Sequence, residues 1–90
     1  MARYAILDTA GALIGVNVVA ATPLDAAMGV LDQTLEEVAS LADGEEGYAI
    51  YSLPTSAAGR VTPDLIADQG KLEAYVRPER VQESPQPLKA

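Results

Sequence analysis

The chain of 90 residues has to build its core without phenylalanine or tryptophan, because it contains neither. Leucine, isoleucine, valine, alanine and methionine must fill the interior. A domain of this size buries only about 60–65% of its unfolded surface, so an aliphatic core leaves a thin margin of stability. We therefore expect a single domain that is stabilised by association, as a homodimer. The only aromatic residues are Tyr4, Tyr48, Tyr51 and Tyr75.

Two stretches near the N-terminus are predicted to form a β-hairpin. Residues 4–8 alternate between two faces in the way that strands do. The segment Asp8-Thr9-Ala10-Gly11 is typical of a hairpin loop, in which Asp8 caps the turn and Gly11 adopts a positive φ at low cost. The second strand is predicted over residues 12–20. We expect this hairpin to form one half of an antiparallel sheet.

The second strand has apolar residues on both of its faces. Ile14, Val16 and Val18 are expected to face the core. The opposite face then carries leucine and valine beside one asparagine, and such an exposed face is typical of a sheet that contacts a partner. The candidate interface residues on this sheet face are Leu13, Asn17 and Val19, with Tyr51 from a later strand.

A long helix is predicted to follow the hairpin. Thr22 is a good cap, Pro23 suits the first helical position, and Asp25 completes a capping box with aspartate in place of glutamate. Apolar residues then recur at intervals of four and three, which predicts one buried helix face over residues 23–41. Gly44 is a suitable residue to end it. The apolar positions are Leu24, Met28, Leu31, Leu35, Val38 and Ala42.

The rest of the chain predicts two more strands and a short helix. Residues 48–53 are β-branched and aromatic, and they lie between a glycine and a proline. Thr62 and Pro63 repeat the helix-start pattern and predict a helix over residues 63–69. A fourth strand is predicted over residues 72–76.

The order of these elements, β-β-α-β-α-β, predicts the fold class. We expect an α+β two-layer sandwich, in which one long helix crosses one face of a mostly antiparallel four-stranded sheet. The domain is predicted over residues 1–77. The proline-rich and charged residues 78–90 are predicted to form an extended or disordered tail.

The charge of the chain is distributed very unevenly. The formal net charge is −7, and no lysine or arginine lies between Tyr4 and Gly59. In residues 60–90 the acidic and basic residues cancel. A field of a single sign attracts partners of the opposite sign and repels nucleic acid. The uncompensated carboxylates belong to Asp8, Asp25, Asp32, Glu36, Glu37, Asp43, Glu45 and Glu46.

Most of these carboxylates are expected on the exposed face of the long helix and in the loop after it. A sequence selected only for stability would have lysine or arginine near the negative C-terminal end of a helix. We therefore expect a surface that docks onto a basic partner protein, and a merely solvated face is the alternative. One form of this function is an inhibitor that offers carboxylates to a nucleic-acid-binding groove, as small acidic proteins of phages or mobile elements do. The predicted partner-binding residues are Asp25, Asp32, Glu36, Glu37, Asp43, Glu45 and Glu46.

The sequence contains no histidine and no cysteine. The commonest general base, the commonest zinc ligand and the thiol nucleophile are therefore missing. Residues 43–47 offer clustered carboxylates to Ca²⁺ or Mg²⁺ but lack the spacing of an EF-hand loop. A serine nucleophile would need Lys71 beside Ser52 or Ser56. We expect no catalytic residues, no metal and no cofactor, and an interaction module rather than an enzyme.

Two further expectations concern location and partners. No apolar run approaches the roughly 20 residues of a membrane span, and the N-terminus lacks the pattern of a signal peptide. We expect a cytoplasmic protein that binds neither membranes nor nucleic acid. The alternative to the acidic module is a structural subunit or assembly factor that uses the sheet face of Leu13, Asn17 and Val19. A small enzyme or metal protein is the third hypothesis.

Overall fold

The computed structural model describes residues 2–54 and 61–79. In chain order the described elements are β1 (Ala2–Asp8), β2 (Leu13–Ala20), α1 (Pro23–Leu31), β3 (Leu35–Val38), β4 (Tyr48–Leu53), α2 (Pro63–Gln69) and β5 (Lys71–Pro78). The strands form one antiparallel sheet in the order β2-β1-β4-β5-β3. The predicted α+β class is confirmed, but within the described ranges the sheet has five strands where four were predicted.

The two helices pack on opposite faces of the sheet. Tyr4 and Ile6 of β1 belong to an apolar cluster with residues of α1, and Ile6 has no exposed surface. Ala5, which lies between them, belongs to a second cluster with Ile66 of α2. Because successive side chains of a strand point to opposite faces, α1 and α2 cover different sides. The fold therefore differs from the predicted two-layer sandwich by a partial third layer.

The prediction of a long helix over residues 23–41 is wrong, because α1 ends at Leu31. Asp32 caps the helix in the left-handed conformation with φ 54°, and its N–H donates to the carbonyl oxygen of Met28. Of the three residues that follow Leu31, the aspartate and the threonine are weak helix formers. The next residues pair with β5 instead, and Leu35 enters the apolar core from β3 rather than from a helix face.

Strand β2 does not alternate regularly, because its pairing with β1 shifts twice within residues 13–18. Each shift leaves an extra residue in β2, as β-bulges do. Asn17 lies in this irregular part and has φ 51°. Val18 packs against the α1 side as predicted, but Val16 is 48% exposed although it was predicted to face the core.

The residues of the predicted hairpin turn and the two threonine caps act as expected, whereas Gly44 ends no helix. Asp8 Oδ1 accepts hydrogen bonds from two backbone N–H groups of the hairpin loop, and one of these donors is the N–H of Ala12 at 2.8 Å. Gly11 has φ 86°. The hydroxyl groups of Thr22 and Thr62 each accept the backbone N–H three residues later at 3.1 Å, and so begin α1 and α2.

The later elements agree closely with the sequence. Strand β4 and helix α2 have the predicted bounds, whereas β5 extends as far as Pro78. Of the predicted tail, residues 80–90 lie outside the described residues, as do residues 55–60. Neither helix in the described ranges has the length and apolar character needed to cross a membrane.

Candidate functional site

The register of the sheet gathers most acidic residues at one of its ends. Asp8 at the end of β1 pairs with Tyr48, Tyr48 pairs with Val76, and Val76 pairs with Glu37 of β3. This row marks the end of the sheet at which β1 and β5 finish and β3 and β4 begin. We call it the acidic end. Its carboxylates, in the part of the chain that the structure describes, are those of Asp8, Asp32, Glu36, Glu37, Asp43, Glu45, Glu46 and Glu79.

Six of the seven predicted partner-binding residues lie at this end, but not on a helix face. Two are in β3, three are in the loop of residues 39–47, and Asp32 caps α1 just before β3. Asp25 is the exception, because it lies in the first turn of α1, after the end of β2 that pairs with Ala2. The helix-face placement was wrong because the chain leaves the helix at Asp32.

Arg77 is the one basic side chain at the acidic end among the described residues. Its Nε donates to Glu36 Oε2 at 2.7 Å, and its Nη1 donates to Glu45 Oε2. The hydrogen bonds, first that to Glu45 and then that to Glu36, favour the charged guanidinium and raise the pKa of Arg77 above its usual value. Arg77 therefore neutralises two carboxylates and ties the 39–47 loop to the sheet.

The tip of the 39–47 loop is closed by hydrogen bonds of Glu45. The N–H of Glu45 donates to the carbonyl oxygen of Ala42 at 3.0 Å, and Glu45 Oε1 accepts the N–H of Ala42 at 2.9 Å. Gly44 has φ 77°, which glycine adopts at little cost. Because the Glu45 side chain is only 13% exposed, the loop holds this carboxylate inward while Asp43 and Glu46 stay exposed.

An open cavity of about 730 Å³ lies between the 39–47 loop, the β1–β2 hairpin and one face of the sheet. Ala49 and Tyr75, which pair with each other, contribute the sheet residues, and Leu41 contributes an apolar side chain from the loop. We call this cavity the acidic basin. A concave surface with charges of one sign concentrates ions of the opposite sign. All the charged residues of the described chain that line it are acidic: Asp8, Asp43, Glu45 and Glu46.

Tyr48 lies on the α1 side of the sheet, where the carboxylates of the acidic end affect the pKa of its phenol. Its side chain packs against the apolar core, and this burial is the largest cause that raises the pKa of the phenol. Glu46 raises the pKa further through its charge and a hydrogen bond, and Asp8 does so through its charge. The carboxylates thus act on both faces of the sheet at this end.

Two basic residues lie at the opposite end of the strands. Arg3 pairs with Leu53, and Lys71 pairs with Ser52, several residues away from the row that contains Asp8. Apart from Glu73 beside Lys71 and Arg77 at the acidic end, the charges of the described sheet are therefore separated along the strand direction.

Leu13, Val19 and Tyr51 lie on one sheet face, but this face packs against α2 and is not free. Leu13 and Tyr51 pack into the cluster beneath α2, because that helix covers part of the face. Asn17 lies in the irregular part of β2, and its Oδ1 accepts a hydrogen bond from Arg3 Nη1 at 3.3 Å. Asn17 and Val19 are both exposed, and Val19 is exposed to 62%.

The alternative sites considered from the sequence can now be located. Ser52 donates to Glu73 Oε2 at 2.8 Å, and Ser56 lies outside the described residues. Within residues 2–54 and 61–79, no group of three or more acidic side chains is arranged to hold a metal ion.

Sequence reasoning missed the parts of the site that come from distant segments. Arg77 lies 41 residues from Glu36, and nothing in the sequence between them indicates that they meet. Tyr75 was noted only as an aromatic residue, although it lines the acidic basin. No signal in the sequence distinguishes Arg77, because its strand also contains Lys71.

Comparisons with known proteins add no assignment to this geometry. No family model matches the chain, and neither a curated protein nor a solved structure matches it.

Proposed function

We propose that this protein is a non-enzymatic interaction module that binds a basic surface of a partner protein through its acidic end. The observation that carries the proposal is the acidic basin, whose charged lining residues in the described chain are all carboxylates. Arg77 forms ion pairs with Glu36 and Glu45. In the described chain, the lining of the acidic basin contains no basic residue beside the exposed carboxylates of Asp43 and Glu46.

The arrangement of the loop supports a binding role for these carboxylates. The 39–47 loop is held by Arg77 and by its own hydrogen bonds, and a held loop loses little conformational entropy when a partner binds. Exposed carboxylates on such a loop repel one another, which is a cost that stability alone does not explain. A basic partner surface would relieve that repulsion.

Charge reversal at Asp43 tests this proposal. The probe is a short polyarginine peptide, and its affinity is measured by calorimetry at low and at high salt. We expect Asp43→Lys to weaken binding roughly threefold to tenfold at low salt, which is the range expected for one or two surface ion pairs. Wild-type binding should also weaken as salt is added, because screening acts on exposed charges.

The matched control is Asp68→Lys on α2, where the side chain is also exposed. It makes the same change in net charge outside the acidic basin and should weaken binding by less than about twofold. Equal losses in the two variants would mean that only net charge matters and would overturn the assignment to the acidic end. Glu36 is unsuitable for this test because its reversal would also break the contact with Arg77.

A specific form of the proposed function is inhibition of a nucleic-acid-binding protein. Carboxylates of the acidic end would then occupy the positions that phosphates take on a basic groove. A fluorescent DNA oligonucleotide bound to polyarginine should be displaced by the wild-type protein at lower concentration than by Asp43→Lys. Failure of the wild-type protein to displace the DNA would remove this form of the proposal.

Self-association through β2 is a second candidate role, favoured by the exposure of Val16 and Val19. Strand β2 is at one edge of the sheet and contains no charged residue. Two copies could meet there without bringing their acidic ends together. Such a homodimer, or a place for β2 in a larger assembly, is compatible with partner binding at the acidic end.

A further inference from the structure

Half of strand β5 has an edge without a strand partner in the described chain. Strand β5 is eight residues long, whereas β3, its neighbour on the outer side, has only four. The pairing with β3 begins at Tyr75 and continues to Pro78. On its inner side β5 pairs with β4 down to Lys71. The outer edge of residues 71–74 therefore lies beside no described strand.

A slot of about 430 Å³ lies along this edge, where β3 ends. Val38 and Ala39 form one end of it, and Leu72, Ala74 and Tyr75 contribute apolar surface from β5. Leu72 is 41% exposed, which is high for a leucine inside a paired strand. We call this region the β5 slot. It combines an open strand edge with apolar side chains, as sites that accept an added strand do.

The charges of the β5 slot are acidic. Glu37 and Glu73 line it, and no basic residue of the described chain does. Tyr75 lines both the slot and the acidic basin, so the two cavities are adjacent on the sheet. Because β3 occupies the edge from Tyr75 onward, a chain that lies in the slot must turn over the sheet face at Tyr75, and there it reaches the carboxylates of the 39–47 loop.

We propose that the β5 slot binds an extended segment of the partner protein, in which basic and apolar residues alternate. The segment adds to the sheet as a strand beside residues 71–74, in line with β3. Its backbone pairs with the open edge, its apolar side chains contact Leu72 and Tyr75, and its basic side chains face Glu37 and Glu73. The inference rests on the proposed function, because it names the part of the basic partner that the same surface recognises.

The alternating pattern follows from the geometry of the slot. Successive side chains of an added strand point to opposite faces of the sheet. On the α2 side they meet Leu72 and Tyr75, which share that face because a register shift in the β4–β5 pairing leaves Glu73 as an extra residue between them. Their neighbours on that face are half-buried apolar residues. An extended segment satisfies the open backbone groups, whereas a helix has no free backbone donors along its length to do so.

The test uses the full chain and a short synthetic peptide of alternating lysine and valine. The comparison peptide has the same sequence with every residue N-methylated, so that it keeps the charge and apolar groups but loses its backbone N–H donors on both edges. We expect the N-methylated peptide to bind about tenfold or more weakly, as removal of two or three hydrogen bonds predicts. Hydrogen exchange of the amides in residues 72–74 that point away from β4 should slow when the unmodified peptide binds, and not when the N-methylated peptide is added.

A variant pair tests the position of the site. Leu72→Ser should lower the affinity for the unmodified peptide several-fold. Val19→Ser makes the same kind of change in the other edge strand, at an exposed apolar residue, and should leave the affinity unchanged.

The outcomes separate this inference from the proposed function. Equal binding of both peptides, with sensitivity to salt and to Asp43→Lys, would overturn the β5 slot and retain the acidic end as a binding surface. Lack of binding by either peptide and by polyarginine would overturn both. Protection of the amides in residues 72–74 that point away from β4, before any peptide is added, would also overturn the inference, since a second copy or another segment of this chain would then occupy the slot.

Discussion

Arg77 and Glu36 lie directly opposite each other in the β3–β5 pair, and a hydrogen bond of 2.7 Å joins Arg77 Nε to Glu36 Oε2. The same guanidinium reaches Glu45 in the 39–47 loop. One side chain therefore connects the outer strand, the loop and β5. Because Glu45 also binds the backbone N–H of Ala42, the contact fixes the shape of the loop that presents Asp43 and Glu46.

Replacing Arg77 tests whether this contact organises the acidic end. Arg77→Gln removes the charge that two carboxylates share, so we expect the unfolding midpoint to fall and amide hydrogen exchange in residues 42–47 to become faster. Denaturant unfolding and hydrogen exchange measured by mass spectrometry provide the two readouts.

Arg3→Gln is the matched control for Arg77→Gln. Arg3 is also a hydrogen-bonded arginine, but it lies at the opposite end of the sheet, where it donates to Asn17. Arg3→Gln changes the net charge by the same amount as Arg77→Gln and should leave amide hydrogen exchange in residues 42–47 unaltered. Faster loop exchange in both variants would mean that net charge, and not the Arg77 contact, holds the loop.

Gly47 tests the packing of the same loop against the sheet. Gly47 is buried, and a Cβ at this position would contact Leu41 Cδ2, with Leu41 Cδ1 at 2.8 Å and the carbonyl oxygen of Val76 at 3.0 Å. We expect Gly47→Ala to lower the free energy of unfolding by about 1 kcal/mol, because the Leu41 side chain must turn away and the loop must shift slightly from the carbonyl oxygen of Val76. The measurement is denaturant unfolding monitored by circular dichroism.

Gly29 provides the control for Gly47. It is exposed within α1, and a Cβ there would meet no atom within 4 Å. Gly29→Ala should therefore raise the free energy of unfolding by about 0.5–1 kcal/mol, since alanine favours the helix. A stabilising effect of both substitutions would contradict the close packing of the loop.

The sequence predicted those features that depend on neighbouring residues. The caps at Thr22 and Thr62, the turn at Asp8 and the bounds of β4 all follow from local chemistry, and they are confirmed. The gathering of carboxylates was also predictable in part. Most of them lie within a short stretch of chain, so any compact fold keeps them near one another.

The error in the long helix has a specific physical cause. Leu35 and Val38 are three residues apart, which places them on one face of a helix but on opposite faces of a strand. In the structure Leu35 is buried on the α1 side, and Val38 pairs with Tyr75. The spacing alone could not decide between these cases, because the deciding partner is β5, some 40 residues later in the chain. The role of Arg77 was hidden for the same reason.

Val19 tests the proposed homodimer. Strand β3 at one edge of the sheet is short and carries Glu36 and Glu37, which discourages edge-to-edge pairing. Strand β2 at the other edge is longer, has no charged residue and exposes Val19. We expect concentration-dependent dimers in sedimentation equilibrium, and Val19→Lys should weaken them about tenfold or more, because a charge would enter an apolar contact.

The control for the dimer test is Leu72→Ser, which changes an exposed apolar residue of β5 and should leave the dimer intact. Val19→Lys should alter the stability of the monomer by no more than about 0.5 kcal/mol, as surface substitutions do. A wild-type protein that is monomeric at every concentration would rule out the homodimer without affecting the proposal for the acidic end.

Tyr48 links the stability of the protein to alkaline pH. Burial, Glu46 and Asp8 raise the pKa of this phenol in the folded state above its usual value of about 10. The folded state therefore holds the proton more tightly than the unfolded chain does. The contribution to stability is fully present below about pH 10 and is lost as the pH rises through the folded-state pKa. Tyr48→Phe should remove this part of the alkaline loss of stability, as measured by denaturant unfolding across that range.

Glu46→Gln separates the effect of charge from the effect of burial on Tyr48. Because Glu46 acts through its charge and a hydrogen bond, its neutralisation should move the pKa of Tyr48 back toward the usual value but not restore it fully, since burial is the larger cause. Absorbance of the phenolate during an alkaline titration, compared with that of Tyr48→Phe, isolates the Tyr48 transition. An unchanged transition in Glu46→Gln would mean that the 39–47 loop does not hold its carboxylate against the tyrosine in solution.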